Sequence, residues 1–158
     1  MKAASKDYIK SVVWHLGSSS DTQTPDVSYT IERGTTVYSG RSATWTGTIG
    51  LFYTSDYGFA TSGGSSKDRS TCLATRMTSW ANTDCANNDW LFLKANEWTI
   101  THSTYSATWV KYITSTGNGG GAAANSQYAV RPTVFLKPDV KYVTGSGTSS
   151  DPFIISTN

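Results

Sequence analysis

Hydrophobic positions in this chain come in short runs between polar, hydroxyl-rich stretches, and the period of each run predicts an element. Ile9, Val12, Val13 and Leu16 stand at helical spacing, with Ser5 as a cap and Gly17 as a stop; the β-branched content equally allows a strand over residues 12–16. Residues 27–32 alternate as a strand does, and Arg33-Gly34 turns the chain into residues 35–38. The run 45–53 (WTGTIGLFY) predicts a buried strand, and Thr54-Ser55-Asp56 predicts the cap of a short helix reaching Ala60. Residues 62–70 form a Gly/Ser loop and 72–80 hold a helical turn. An Asn/Asp-rich loop over 82–89 then leads into Trp90-Leu91-Phe92-Leu93.

The last third predicts a β-meander. Residues 97–101 and 107–113 are two strands, the second alternating clearly, and 114–126 is a low-complexity loop. Residues 128–136 (YAVRPTVFL) are a third strand, in which Pro132 calls for an edge position or a bulge. Residues 140–143 and 153–155 flank a Gly-Ser-Gly-Thr-Ser-Ser-Asp-Pro turn and predict a closing hairpin. Residues 97–155 are thus a meander and hairpin, no internal repeat is present, and the expectation is one α+β domain over 1–158.

Composition sharpens this. At 158 residues and 17.1 kDa, the chain can bury about 70% of its unfolded surface without cysteine staples. Only 15% of residues are charged, 13% are aromatic, and 22 Ser with 24 Thr make up nearly a third. That profile suits β-structure exposed outside a cell. The net charge of +2 comes from scattered Lys and Arg, which argues against nucleic acid as a partner. No apolar run approaches the roughly 20 residues that span a bilayer, so this fragment is not expected to insert into a membrane. Asp7 and Lys10 interrupt the first 16 residues, so a secreted protein would be represented here by its mature part behind an added Met.

Cys72 and Cys85 have 12 residues between them and make no CxxC pattern. They are either a disulfide or two separate buried thiols; the first, which the spacing favours, would stabilise by roughly 3 kcal/mol and indicate an extracellular setting. Enzyme signals are thin: no GxSxG, HExxH, P-loop or dinucleotide fingerprint occurs. His15, beside Trp14 and Leu16, reads as a packed or surface residue. His102 stands among hydroxyls at a strand end, with no third group to orient a Ser-His pair. The chain is expected not to be an enzyme and to need no cofactor. Calcium is the one candidate ion, through Asp84, Asn87, Asn88 and Asp89, hard oxygen ligands in one loop. The loop lacks EF-hand spacing, and turn chemistry is the preferred reading.

The aromatic set is the better evidence of binding. Trp98, Tyr105, Trp109, Tyr112 and Tyr128 lie in the meander, where alternation turns some outward, and Ser, Gly and Asn around them supply adaptable hydrogen bonds. Tyr105, in the 103–106 turn, is expected to be exposed. Trp98 and Trp109 are expected mainly in the core, and Arg131 is expected to pair with Glu97 or Asp89.

The segments YTIERGTTVYSGRSATWTGTIGLFYTSDYGFATS, TCL…W…DCANNDWLF, EWTIT, YAVRPTVFL and VTGSGTSSDPF resemble a family of surface domains from gut and related Gram-positive bacteria, some carried behind a prepilin-like helix. The resemblance covers residues 29–153 and implies a bacterial cell-surface location. The order of a Glu-Trp-Thr strand, a Trp-containing strand, a Gly-rich loop and a Val-Arg-Pro strand also resembles the end of a C-type lectin-like domain. Variable proteins of diversity-generating retroelements and the formylglycine-generating enzyme group share that order. This implies a ligand surface over residues 101–128, although Ala129-Val130-Arg131 stands where Gly-Phe-Arg is usual. The formylglycine activity is not implied, because Cys72 and Cys85 precede the closing strands. The resulting expectation is a non-catalytic, adhesin-like extracellular domain on a bacterial surface or pilus. It would bind a glycan or protein through Ser103, Thr104, Tyr105, Trp109, Asn118, Asn125 and Tyr128. The alternative is a pilin-like or surface-layer subunit that self-associates.

Overall fold

A computed structural model describes residues 3–86 and 90–157. A 3-10 turn at Ala3–Tyr8 leads into β1 (Ile9–Lys10), β2 (Val12–His15), β3 (Ser18–Ser19) and helix α1 (Pro25–Glu32). There follow β4 (Thr44–Gly47), β5 (Ile49–Leu51), helix α2 (Thr54–Phe59) and helix α3 (Arg69–Leu73), then 3-10 turns at Met77–Ser79 and Ala81–Thr83. The remainder is β6 (Glu97–Ser103), β7 (Trp109–Ile113), β8 (Gly119–Ala123), β9 (Pro132–Leu136), β10 (Val140–Thr144) and β11 (Ile154–Thr157). The fold is mixed α and β, mostly antiparallel sheet with a few short helices.

The strands pair in the orders β3-β6-β7-β8, β1-β9-β5, β2-β4 and β10-β11. Only the β3–β6 pairing among these is parallel, with Ser18 opposite His102. Along β6, Glu97, Thr99, Thr101 and Ser103 are buried while Trp98, Ile100 and His102 are half-buried. The inner face of the main sheet is therefore polar. Against it lie α1 and α2, which present buried Ser28, Glu32, Thr54 and Ser55. Burial of so many polar atoms is tolerable because most of them satisfy one another, the Ser28 hydroxyl being an exception. Thr101 donates to Glu32 Oε1 at 2.6 Å and accepts from the Thr54 N–H at 3.1 Å, and Thr54 and Thr99 share a hydroxyl bond at 3.1 Å. The Ser55 N–H donates to the Glu32 carboxylate at 3.2 Å.

The apolar core lies beside this network. Phe52, Tyr57, Met77, Trp80, Leu91 and Ile113 pack around Cys72 and Cys85, whose sulfurs lie at disulfide distance, 2.09 Å apart. This pair is the disulfide that the spacing favoured. The Tyr57 hydroxyl donates to the Gly117 carbonyl at 2.9 Å, tying this core to the β7–β8 turn.

Four expectations are corrected. Residues 27–32 are helical, because Pro25 opens α1 with its ring pre-set for a first turn; the alternation misled since the polar Ser28 and Glu32 face inward while Val27 and Tyr29 are exposed. The loop over 114–126 contains a strand, β8, which pairs along its length with β7. Residues 128–136 yield only β9, which leaves the meander and runs between β1 and β5. Pro132 is neither on an edge strand nor at a bulge; it is the first residue of β9, facing Leu51, where a missing N–H is tolerated. The N-terminal run resolves as strand over Val12–His15 rather than helix.

Candidate ligand-binding surface

β6 and β7 turn a second face outward. On it Trp98 packs against Tyr112 and Tyr128, with ring centres 6.0 and 4.6 Å apart, and Tyr112 and Tyr128 are 4.7 Å apart. Tyr112 lies over Gly120, where a Cβ would come within 2.9 Å of its ring. Gly120 thus gives Tyr112 a flat seat, while Gly119 and Gly121 face Met77 and Asp21 on the other side of the sheet.

Further along the same face, Ile100 and His102 floor an apolar cavity of about 450 Å³ walled by Trp45, Ile49, Val130 and Pro132. Trp45 is 45% exposed. Its indole is folded onto Gly47, where any Cβ would fall 2.2 Å from the ring. His102 Nε2 lies 3.2 Å from Arg41 Nη1. Because Arg only donates, Nε2 must accept, so the proton of the neutral ring resides on Nδ1. Burial, reinforced by the Arg41 charge, holds the His102 pKa below its usual value and keeps the ring neutral. Nδ1 is buried and has no hydrogen-bond partner among the described residues.

Arg41 also donates from Nη2 to the Ala107 carbonyl, and it lines a second cleft of about 520 Å³ with Thr108, Ala124 and Asn125. Next to this cleft, Tyr105 and Trp109 meet edge to face at 6.3 Å and are 55% and 36% exposed. One guanidinium therefore borders both an apolar, Trp45-walled cavity and a second cleft lined by alanines, Thr108 and Asn125.

The residues singled out from sequence divide into three sets. Thr104, Tyr105, Trp109 and Asn125 come together at the Arg41 end of the sheet; Trp109 is more exposed than expected. Ser103 is sealed in the interior, where its Oγ accepts from the Tyr105 N–H at 3.2 Å. Asn118 lies at the far end of β8, and its side-chain oxygen accepts from the Ala81 N–H at 2.8 Å, a structural duty. Tyr128 belongs to the aromatic cluster with Trp98. Arg131 pairs with Glu97 at 3.1 Å, and burial, opposed by that guanidinium, raises the Glu97 pKa. Trp45 and His102 line the cavity, and Arg41 reaches His102 from the second cleft. Nothing local marked Arg41, which reaches its partners across about sixty residues of sequence.

Of the calcium candidates, Asn87, Asn88 and Asp89 lie outside the described residues. Asp84 accepts from the Ser65 N–H at 2.7 Å. Among the described residues no three His, Cys, Asp or Glu side chains cluster as metal ligands, and no helix is long and apolar enough to cross a membrane. The disulfide points to an oxidising setting.

No family, curated protein or solved structure matches the chain. What the surface does must be argued from its own residues.

Proposed function

We propose that the chain is an extracellular recognition domain of C-type lectin-like architecture, displayed on a bacterial surface or pilus, that binds a glycan. The observation that carries this reading is Arg41 set between the Trp45 cavity and the cleft lined by Thr108 and Asn125, with Tyr105 and Trp109 exposed nearby. Sugar rings offer apolar C–H faces that stack on Trp and Tyr, and hydroxyls that accept from a guanidinium; both recognition elements are presented together here. The neutral His102 adds a buried N–H beside the cavity.

The test is an array of glycans and host proteins probed with the wild-type chain and with Trp45→Ala, Arg41→Ala and Tyr105→Ala, with and without chelator. Glycan binding weakened at least tenfold in Arg41→Ala and in one aromatic variant supports the reading. Unchanged binding in all three, or binding to proteins alone, overturns it. Loss with chelator would return calcium to the Asp84 loop.

A second reading, a self-associating structural subunit, is favoured by one observation. β10 and β11 pair only with each other, and Leu136, Tyr142, Phe153 and Ile154 expose about half or more of their surface. Exposed apolar patches of this kind mark interfaces. Sedimentation of wild type against Tyr142→Ser/Phe153→Ser decides it: a concentration-dependent oligomer abolished by the double variant supports it, and a monomer at all concentrations removes it.

A further inference from the structure

Lys111 is a lysine in an unusual place. Alternation along β7 sends it inward between the exposed Trp109 and the buried Ile113, and it is 1% exposed. Its neighbour across the ladder is Gly121, which contributes no side chain to that face. The acceptor found for its Nζ is Asp21 Oδ1, in direct contact. Asp21 stands in the loop between β3 and α1, and that loop is pinned on both sides. The Thr104 N–H donates to Ser19 O at 3.2 Å, and the Met77 N–H donates to Gln23 O at 3.1 Å. A Cβ on Gly121 would fall 3.2 Å from Asp21 Oδ1, so the missing side chain leaves room for the pair. The other interior carboxylate of this network, Glu32, is held by Ser55 and Thr101 instead.

An amine and a carboxyl fixed in contact, with water largely excluded, have two ways to avoid a buried charge pair. One is proton transfer, which leaves a neutral amine and acid. The other is condensation, which removes both ionisable groups permanently. Burial lowers the Lys111 pKa to about 7, so a large share of the amine is unprotonated and nucleophilic near neutrality. Fixed contact supplies the high effective concentration that amide formation needs.

We infer that Lys111 and Asp21 form an intramolecular isopeptide bond. The Lys111 nitrogen attacks Asp21 Cγ, an Nζ–Cγ bond forms and one Cγ–O bond breaks. Two protons from the ammonium leave with that oxygen as one water, and nothing is oxidised or reduced. Asp21 is only partly buried, which gives the water an exit. The bond would join residues 90 positions apart.

Intact mass spectrometry of the purified chain tests this. The expected mass is 18 Da below that of the disulfide-bonded linear sequence, and digestion under reducing conditions should release a branched peptide joining the Asp21 and Lys111 segments. Lys111→Arg and Asp21→Ala should both keep the full mass. The wild-type measurement needs no variant to fold, so it decides alone. A wild-type mass at the full disulfide-bonded value overturns the inference, as does a water loss that maps to a linear peptide. Either result leaves Lys111–Asp21 a simple ion pair.

Discussion

Glu32 sits where a carboxylate is hardest to keep charged. Burial raises its pKa from 4.5 to about 7, against the lowering pull of Ser55, Thr101 and Arg33, whose guanidinium is 3.6 Å away. In the unfolded chain the group ionises near 4.5, so between that pH and about 7 the folded state holds a proton that the unfolded state has lost. Stability therefore falls as pH rises through this window, by about 3 kcal/mol in total, and levels off above it. Urea unfolding from pH 4.5 to 7.5 should show this slope, and Glu32→Gln should flatten it. Lys111 acts oppositely. A free amine with its pKa lowered from 10.5 to about 7 would make stability rise across pH 7 to 10.5. An amide at that position would contribute no slope there, so extending the titration to pH 10.5 reports on the cross-link by an independent route.

At the scale of elements, what was legible depended on whether a segment's own side chains carried its structure. β6 was legible over residues 97–101 and extends two residues further, to Ser103, with its polar residues facing inward. α1 was misread for the same reason: the interior it meets is built of hydroxyls and a carboxylate, so inward positions look like outward ones. β8 was missed because Gly119–Ala123 has no side chains to announce a strand; its hydrogen bonds come from β7. Tyr105 is exposed, as its place in a turn predicts, whereas Trp109, expected mainly in the core, is also exposed because it stands at the open end of β7. The cavity was hidden, because Leu16, Trp45, His102 and Pro132 meet only in the tertiary fold.

Two close approaches make testable demands on these elements. A Cβ on Gly17 would lie 1.9 Å from the Ile31 carbonyl oxygen at the end of α1, and backbone cannot swing away as a side chain can. Gly17→Ala should cost about 2–3 kcal/mol in urea unfolding, at the upper range for overpacking. Gly47→Ala should leave stability closer to wild type yet push the Trp45 ring off its seat, read as a shift in tryptophan emission and as weaker glycan binding. Replacing both Cys72 and Cys85 by Ser should cost about 2–5 kcal/mol, since their sulfurs lie in the apolar core against Trp80 and Met77.

At the scale of the whole molecule, β9 is the piece on which distant parts depend. Ile9 pairs with Leu136, and Ile49 with Val134, so both edge strands of this sheet wait for a partner more than eighty residues further on. The Trp14 ring, buried in the finished protein, packs on Phe135 at 5.2 Å. A chain emerging from the ribosome thus carries a partly covered tryptophan and two unpaired edges until β9 has been made. Contacts this long-range place folding in the millisecond-to-second range, and stopped-flow refolding of the disulfide-bonded chain in microseconds would contradict that. The unfinished chain is also the form most exposed to aggregation. The cell that makes this protein must therefore shield it during synthesis, or keep it unfolded until β9 arrives.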